Sequence, residues 1–327
     1  MLLTTEQVKR FAHGYLHLTE EDGWLFFHRY TPVQEQYYLR PEHVRCPYDT
    51  TGVRLECTTD ATELSFTYRY TNGTIPYYCF DLYVDGVLNT ALGRRWDSAD
   101  PYTEERRLAF TLPKGTKKLS LWLPQLGYTK LKNVTLTDAT VLEWTSYEKT
   151  YLAIGDSITH GSAAFHPANT FPARLARAWG VELYNQGLGG DVHHVENLGQ
   201  GIGLRPDYVT VMLGCNDWFN RTPERHREIC SLYYLRLAQL FCDSKIAVLT
   251  PLWNRQAHKT QKAGTIDALR EVILQEAQKY PNITVIHGQD LLPQDPDLLF
   301  DDFHPSDKGF ATIAQNLKPR LEKIFNL

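Results

Sequence analysis

The sequence lacks the features that would tie the protein to a membrane or to export. No apolar run approaches the length that spans a bilayer, and the first residues have neither the apolar core nor the small-residue cleavage site of a secretory signal. If the chain is complete, these absences predict a cytoplasmic protein.

The sequence also lacks a large excess of charge of one sign and a spacing of cysteines that would indicate pairing. The 34 Lys and Arg residues are scattered and nearly balance the 38 Asp and Glu residues, so nothing favours nucleic acid or an anionic membrane as a partner. The six cysteines form no Cys-x-x-Cys pair and no zinc-type spacing. This predicts free thiols in a reducing compartment, no metal site and no cofactor.

The residues that are present divide the chain into two parts, as a length of 327 residues suggests. Residues 1–145 form short alternating runs separated by turn signals such as Asn72-Gly73 and Asp85-Gly86, which predict an all-β sandwich or jelly roll. The aromatic residues here, Trp96, Trp122 and Trp144 among them, can be strand and core residues or a platform for sugar, and the core interpretation is favoured.

Residues 146–327 alternate buried strands with helices. Repeated strand-then-helix units predict a parallel sheet covered on both faces, which binds ligands at the carboxyl ends of its strands. The predicted strands lie near residues 151–154, 181–185, 208–213, 246–251 and 283–287, and the predicted helices near residues 171–179, 223–241, 260–279 and 307–325.

Four loops that this fold brings to one edge of the sheet carry polar groups. They are Gly155-Asp156-Ser157 after the first strand, Asn185–Asp191 after the second, Gly214–Trp218 after the third, and Asp301–Pro305 before the last helix. Gly-Asp-Ser in isolation is more often the cap of a helix than a nucleophile site. The loops together supply a hydroxyl, backbone amides, a side-chain amide, and a carboxylate with an imidazole.

That set of groups suits ester cleavage by a serine. Ser157 needs a base, which His304 can provide, and Asp301 can hold the other ring nitrogen of His304 in the productive tautomer. The amides of Ser157 and Gly190 and the side chain of Asn216 are candidates for the oxyanion hole.

These blocks resemble those of the SGNH (GDSL) hydrolases. Gly155–Thr159 resembles the first block, Asn185–Gly190 the second, Gly214–Asp217 the third and Asp301–Pro305 the fifth. The resemblance implies a three-layer flavodoxin-like parallel sheet and a serine hydrolase. It assigns the nucleophile to Ser157, the oxyanion hole to Gly190 and Asn216 besides the Ser157 amide, and the remaining triad members to Asp301 and His304.

A looser resemblance concerns the whole architecture. A β-sandwich before an SGNH domain is similar to the family 2 carbohydrate acetylesterases and to acyl hydrolases with a GxDLY-type amino-terminal domain, and Phe80-Asp81-Leu82-Tyr83 resembles the core of that label. It implies a small-molecule or oligosaccharide ester as substrate, with acetyl the favoured acyl group. A homo-oligomer stays open, as do a short-chain lipase or acyltransferase-like hydrolase acting on a non-sugar ester, and a non-catalytic carbohydrate-binding protein.

Substrate contacts and a metal alternative complete the predictions. Polar groups and indoles near the predicted site suggest that Asp191, Trp218 and Trp253 contact the substrate. The segments His193-His194-Val195-Glu196 and Asp301-Asp302-Phe303-His304 could in principle supply metal ligands, although neighbouring histidines usually point apart. His226, His258 and His287 are expected in loops or at the surface.

Overall fold

The computed structural model describes residues 1–43, 47–71, 77–94 and 105–327. It divides into two compact units. The first comprises Met1–Thr31, Cys46–Glu148 and Phe165–Ala168, and the second Pro32–Arg45, Lys149–Ala164 and Asn169–Leu327. The Asn72-Gly73 turn signal, Trp96 and Cys46 lie outside the described residues.

The first unit is built from antiparallel strands. Its elements are α1 (Thr5–Phe11), β1 (Ala12–His13), β2 (His17–Glu21), β3 (Trp24–His28), β4 (Arg54–Thr59), β5 (Glu63–Thr71), β6 (Tyr78–Val84), β7 (Val87–Arg94), β8 (Arg106–Thr111), β9 (Lys117–Trp122), β10 (Tyr128–Thr137) and β11 (Leu142–Trp144). The sheet orders are β1-β4-β9-β6-β7, with β11 also paired to β4, and β2-β3-β10-β5-β8.

The two sheets of this unit share one core. Leu55 and Leu121 from one sheet and Leu64 and Leu131 from the other are fully buried in a single apolar cluster. Alternation along each strand sends every second side chain into that cluster. The predicted all-β sandwich is therefore confirmed.

The second unit alternates strands and helices. Its elements are α2 (Pro32–Tyr38), β12 (Thr150–Gly155), α3 (Ser157–His160), α4 (Phe171–Trp179), β13 (Glu182–Gly187), β14 (Tyr208–Met212), α5 (Cys215–Asn220), α6 (Pro223–Leu240), β15 (Lys245–Leu249), β16 (Thr260–Gln261), β17 (Gly264–Thr265), α7 (Ile266–Ala277), β18 (Ile283–Ile286) and α8 (Asp307–Phe325). Short 3-10 turns lie at Pro167–Asn169, Gly288–Asp290 and Pro296–Leu298.

The main sheet of this unit is parallel, in the order β13-β12-β14-β15-β18. Counting these strands along the chain gives the order 2-1-3-4-5 of the flavodoxin-like folds. The sequence prediction of the fold class is confirmed. The order places β12 at the centre of a topological switch, where the loops after β12, β13 and β14 meet.

Helices cover both faces of this sheet. Leu152 and Val209 point to the face covered by α6 and α7, where they share a buried cluster with Leu237 and Leu269. Tyr151, one residue along, points to the other face and meets Trp179 of α4, with ring centroids 5.7 Å apart. On that face Tyr208 stacks on Phe325 of α8.

Three helices depart from the sequence predictions. The predicted helix over residues 260–279 begins only at Ile266, because residues 260–265 form the β16–β17 hairpin and Thr265 caps α7 through the amide of Ala268. Two helices, α1 and α2, lie within the region predicted to be all β, and α2 belongs to the second unit.

Candidate active site

The loop after β12 presents Ser157 as the first residue of the short helix α3. The side chain of Asp156 caps this helix by accepting a hydrogen bond from the Ile158 amide, at 3.0 Å. At Gly155 a Cβ atom would lie 2.1 Å from Oγ1 of Thr159 and 2.7 Å from the Met212 carbonyl oxygen. Only glycine therefore permits the sharp turn that puts Ser157 at the end of the strand.

Ser157 is joined to an imidazole and a carboxylate. Oγ of Ser157 lies 2.9 Å from Nε2 of His304, and Nδ1 of His304 lies 2.7 Å from Oδ2 of Asp301. His304 and Asp301 come from the loop before α8, so the topology brings together groups that lie 147 residues apart in the chain. Three of the predicted site residues thus form a hydrogen-bonded series, in which His304 lies between Ser157 and Asp301.

The surroundings of the Asp301 carboxylate favour its ionised form. Partial burial raises its pKa, but the ring of His304 and the backbone amides of His304 and Phe303, each 2.8 Å from Oδ1, lower the pKa to about 2. An ionised carboxylate at this position stabilises the proton on Nδ1 of His304, which leaves Nε2 facing Ser157.

The loop after β13 packs closely against α3. Asn185 donates from Nδ2 to the Thr159 carbonyl, at 2.9 Å, and accepts from the Gly187 amide, at 2.8 Å. A Cβ atom at Gly187 would lie 2.3 Å from the amide nitrogen of His160. Gly190, the predicted oxyanion residue, lies three residues after this contact with φ of 75°.

The loop after β14 leads directly into α5, which carries Asn216. The side-chain amide of Asn216 donates to the carbonyl oxygen of Asp191 at 3.0 Å. Among the described residues that amide has no second partner, so one of its two N–H groups can reach a ligand. The contact also joins the loops after β13 and β14.

A buried polar network holds these two loops together from behind. Nδ1 of His193 lies 2.9 Å from Oδ2 of Asp217, and Nε2 lies 3.0 Å from the hydroxyl of Tyr234. Arg221 pairs with Asp217 at 2.6 Å and donates to the His193 carbonyl. Burial pushes the pKa of Asp217 upward, but His193 and Arg221 together hold it well below its usual range.

Asp191 is not available to a substrate, which corrects a sequence prediction. Its side chain is buried; Oδ2 accepts from the Tyr38 hydroxyl at 2.9 Å, and Oδ1 lies 3.3 Å from Nε2 of His194. Nδ1 of His194 in turn lies 2.9 Å from the hydroxyl of Tyr37. The carboxylate therefore fixes α2 to the loop after β13.

The two predicted tryptophan contacts have different outcomes. Trp218 is fully buried in the core cluster beside α6 and α7, and its indole N–H donates to the Gly264 carbonyl. A substrate contact at Trp218 is thus wrong, since an amphipathic ring at the start of a helix packs inward here. Trp253 is partly exposed and lines a cavity with Asn254.

The predicted metal alternative is not assembled. The ring of His193 faces Asp217, the ring of His194 faces Tyr37, and Asp301 pairs with His304. A different buried group, His193, His226 and Cys230, has ligand atoms within 4.8 Å of one another. Both ring nitrogens of His193 already have protein partners there, and burial lowers the pKa of His226 to about 4.

Several residues of the site were not predicted. Tyr38 and Gln34 lie far away in the sequence, in a region with a β pattern, and Gln34 exchanges hydrogen bonds with Gln186 of β13. His226 is buried in α6 instead of exposed, which contradicts the expectation; His258 and His287 are exposed as expected. The apolar spacing of α6 carried the only signal for the inward position of His226.

The comparisons with known proteins agree with this geometry. Residues 153–312 match the model of the GDSL-like Lipase/Acylhydrolase family. This span contains Ser157, the loops after β13 and β14, and the Asp301–His304 pair. The second unit thus contains a GDSL-like lipase/acylhydrolase domain, and the protein is an ester-hydrolysing enzyme.

Solved structures share both the sandwich and the α/β domain. The chain is similar to the salicylyl-acyltransferase SsfX3 from a tetracycline biosynthetic pathway, with a TM-score of 0.80, 23% identity, and coverage of 96% of this chain and 94% of the other. A candidate GDSL-like lipase from Bacteroides ovatus gives a TM-score of 0.77, 20% identity and coverage of 96% and 95%. A family two carbohydrate esterase from Clostridium thermocellum, solved in complex with cellohexaose, gives a TM-score of 0.64 and 16% identity, with coverage of 93% of this chain and 99% of the other.

At these identities the likeness is one of fold. No protein of curated function matches the sequence. Among the described helices none has the length and hydropathy needed to cross a membrane.

Proposed function

We propose that the protein removes a short acyl group, acetyl in the first place, from a carbohydrate ester through an acyl-enzyme on Ser157. The observation that supports this proposal is the hydrogen-bonded series of Ser157, His304 and Asp301, with distances of 2.9 and 2.7 Å. A serine, a base and an orienting carboxylate in this geometry are the requirements of nucleophilic ester cleavage.

The reaction has two halves. In the first, Oγ of Ser157 attacks the ester carbonyl while Nε2 of His304 takes its proton, and that proton then passes to the departing alcohol. In the second, His304 takes a proton from water, the resulting hydroxide attacks the acyl-enzyme, and Ser157 regains its hydrogen as the carboxylic acid leaves. Asp301 orients the imidazole and stabilises its charged form in both halves.

The oxyanion of each tetrahedral intermediate needs fixed donors. We assign this role to the backbone amides of Ser157 and Gly190 and to the remaining N–H of Asn216. The Ser157 amide is at the first position of a helix, so it has no acceptor within that helix. Loss of one such donor typically costs roughly 3 to 4 kcal/mol of transition-state stabilisation.

The proposal is tested with p-nitrophenyl acetate, butyrate and octanoate. Each ester is incubated with the wild type and with Ser157→Ala, with and without EDTA, and acetylated sugars follow. We expect activity that depends on Ser157, resists EDTA and falls with acyl length. Activity that survives Ser157→Ala, or that is lost on chelation, would refute the triad.

A transferase is the second candidate, because a structural relative is described as a salicylyl-acyltransferase. The same acyl-enzyme can be resolved by an alcohol in place of water. Adding methanol or glycerol to the p-nitrophenyl acetate assay separates the two. A hydrolase releases mainly acetic acid, whereas a transferase releases mainly the new ester.

A further inference from the structure

A cavity of about 380 Å³ lies beside the catalytic loops, within the second unit. Its volume is near the lower end of the range of small-molecule sites. Trp253, Asn254, Arg255 and His258 from the loop after β15 line it, together with Gln289 and Gln294 from beyond β18. It therefore opens at the carboxyl edge of the parallel sheet, where folds of this class bind ligands.

The cavity adjoins the reacting groups. A small space of about 10 Å³ shares Trp253 and Asn254 with it and is also lined by Ile158 and Phe303, the residues next to Ser157 and His304 in the chain. The loops themselves are joined as well: the Arg255 amide donates to the Asp302 carbonyl at 2.9 Å, and Nε2 of Gln256 donates to the Asp302 carboxylate at 3.0 Å.

Asn254 is the residue that points to a ligand. It is 4% exposed, and its Oδ1 is held by the amide of Gln256 at 3.0 Å. Among the described residues its Nδ2 group donates to nothing, although Asn254 lines both spaces. This Nδ2 atom is not among the fully buried side-chain atoms that lack a partner, so it is accessible from the cavity, where water or a ligand can accept its hydrogen bond.

The remaining lining determines the chemistry of that ligand. The guanidinium of Arg270 is already occupied by the Pro251 and Leu252 carbonyls and by Asp267, so it supplies no free charge. The Asp267 carboxylate pairs with Arg270 and accepts a hydrogen bond from Gln289. The Arg255 guanidinium lies 3.9 Å from the Asp302 carboxylate and donates to the Pro296 carbonyl, so the charged groups of the lining are paired. The other polar groups are side-chain amides, an imidazole and one partly exposed indole. Amides offer both donors and acceptors, and an indole offers a flat apolar face, a combination that suits a ring with hydroxyl groups on its edge and C–H groups on its face.

We propose that this cavity is the subsite for the alcohol portion of the ester, and that it takes one neutral sugar unit with Asn254 as a hydrogen-bond donor and Trp253 as its apolar wall. The proposal rests on the proposed function. A short acyl group would leave a space of this size almost empty, and the polar lining does not suit an acyl chain.

Binding without turnover provides the first test. Methyl β-xyloside, methyl β-glucoside and cyclohexanol, a ring of similar size without ring oxygen or further hydroxyls, are titrated into the full chain, and the Asn254 side-chain amide and Trp253 indole signals are followed by NMR. We expect both signals to shift with a glycoside and not with cyclohexanol. Absence of a shift with either glycoside, or an equal shift with cyclohexanol, overturns the subsite.

Two variants and a matched control provide the second test. Asn254→Asp keeps the acceptor for Gln256 but removes the free donor, Trp253→Leu removes the indole, and Asn89→Asp makes the same change as the first at an exposed strand position of the other unit. We expect each of the first two to lower affinity for the glycoside about 2- to 10-fold, with no change in Asn89→Asp. Unchanged affinity in Asn254→Asp overturns the proposal.

Kinetics then separate this proposal from the proposed function. The ratio of kcat/KM for an acetylated methyl glycoside to that for methyl acetate, whose alcohol is too small to fill the cavity, should fall in Asn254→Asp and Trp253→Leu. An equal fall for both esters means a structural effect and overturns the subsite while leaving the esterase standing. Glycoside binding in a protein that hydrolyses no ester refutes the enzyme and leaves the binding site standing.

Discussion

At the scale of single residues, Asp301 acts through its position relative to His304. Asp301→Asn keeps an oxygen for the backbone amides of Phe303 and His304 but places an amide or a neutral oxygen against Nδ1 of the ring. We expect kcat for p-nitrophenyl acetate to fall on the order of 10³-fold or more, since the wrong tautomer of His304 is then favoured. The measurement is steady-state kinetics at fixed pH.

The neighbouring carboxylate provides the control for that change. Asp302→Asn alters the same charge one residue along, on a side chain that is half exposed and lies 3.9 Å from Arg255. Because an exposed pair of this kind contributes little, kcat should stay within about threefold of the wild type. A similar loss in both variants would mean that the loop, and not the tautomer of His304, is affected.

Asp156 makes a separate prediction about stability and pH. Burial raises its pKa to about 7, while the Ile158 amide and His304 oppose the shift. A carboxyl group whose folded pKa is raised favours the folded state below its unfolded pKa, and this advantage is lost as pH rises through the folded value. The wild type should therefore lose stability between pH 5 and pH 8 because of this group.

Asp156→Asn removes that ionisation and keeps an oxygen for the cap of α3. We expect the decrease in unfolding free energy from pH 5 to pH 8 to be smaller in the variant by on the order of 2 kcal/mol. Urea unfolding of both proteins at the two pH values measures the difference. Parallel pH profiles would show that Asp156 does not titrate in this range.

Local sequence predicted some of these residues and not others. Ser157, Asn216 and His304 each follow a strand or precede a helix at the edge where ligands bind, so motif and topology agree. Trp218 and Asp191 lie in the same loops but face inward, because the direction of a side chain at a loop position depends on what packs behind it. Phe219 packs against Trp218, and the Tyr38 hydroxyl donates to Asp191. The local sequence pattern does not predict either contact.

At the scale of elements, the network around Asp217 connects α5 with the loop after β13. Asp217 accepts from both the ring and the backbone of His193, and the adjacent Asn216 donates to Asp191. Two of the three donors proposed for the oxyanion hole, Gly190 and Asn216, thus lie on the two segments that this buried pair connects. Loosening the pair should displace them without touching Ser157.

Asp217→Asn tests that role. Removing one partner of a buried charge pair typically costs about 3 to 5 kcal/mol of stability, and displacement of the loop should lower kcat for p-nitrophenyl acetate by roughly 10- to 100-fold. Urea unfolding and kinetics below the melting transition measure the two effects. The exposed Asp243→Asn is the control; normal kcat in folded Asp217→Asn would reduce the network to a purely structural role.

Element boundaries show where sequence patterns reach their limit. The helix α8 agrees with its predicted bounds because Ser306 caps it and an apolar stripe continues to Phe325. The helix α7 starts six residues later than predicted, because residues 260–265 pair as a hairpin in which Gln261 is opposite Gly264, a glycine with φ of 92°. Local propensity does not distinguish these alternatives, whereas tertiary pairing does.

At the scale of the whole molecule, chain order and structural unit do not coincide. The sequence predicts a boundary between residues 145 and 146; along the chain, β11 ends at Trp144 and β12 begins at Thr150. Pro32–Arg45, however, belongs to the unit that holds the active site, and Phe165–Ala168 belongs to the other. Such exchanges depend on contacts between distant parts of the chain, and no composition shift marks them.

This exchange predicts that residues 146–327 are not an autonomous enzyme. A fragment with these bounds lacks α2, and with it the Gln34 partner of Gln186, the Tyr37 partner of His194 and the Tyr38 partner of Asp191. The end of β13 and the loop that carries Gly190 then lose the α2 partners of three residues. We expect the fragment to show a kcat/KM for p-nitrophenyl acetate at least roughly 100-fold below that of the full chain, the size of effect expected when an oxyanion donor is misplaced.

Failure of the fragment to fold would have a different cause, so a variant of the full chain accompanies it. Tyr38→Phe deletes only the hydroxyl that Asp191 accepts from, and it should lower the unfolding free energy by about 1 to 3 kcal/mol because a buried carboxylate loses a donor. Combining it with Gln34→Ala should lower kcat further while the circular dichroism spectrum stays unchanged. Full activity in the double variant, or in the 146–327 fragment, would show that the loop after β13 holds its geometry without α2, and would place the organisation of the active site entirely within the second part of the chain.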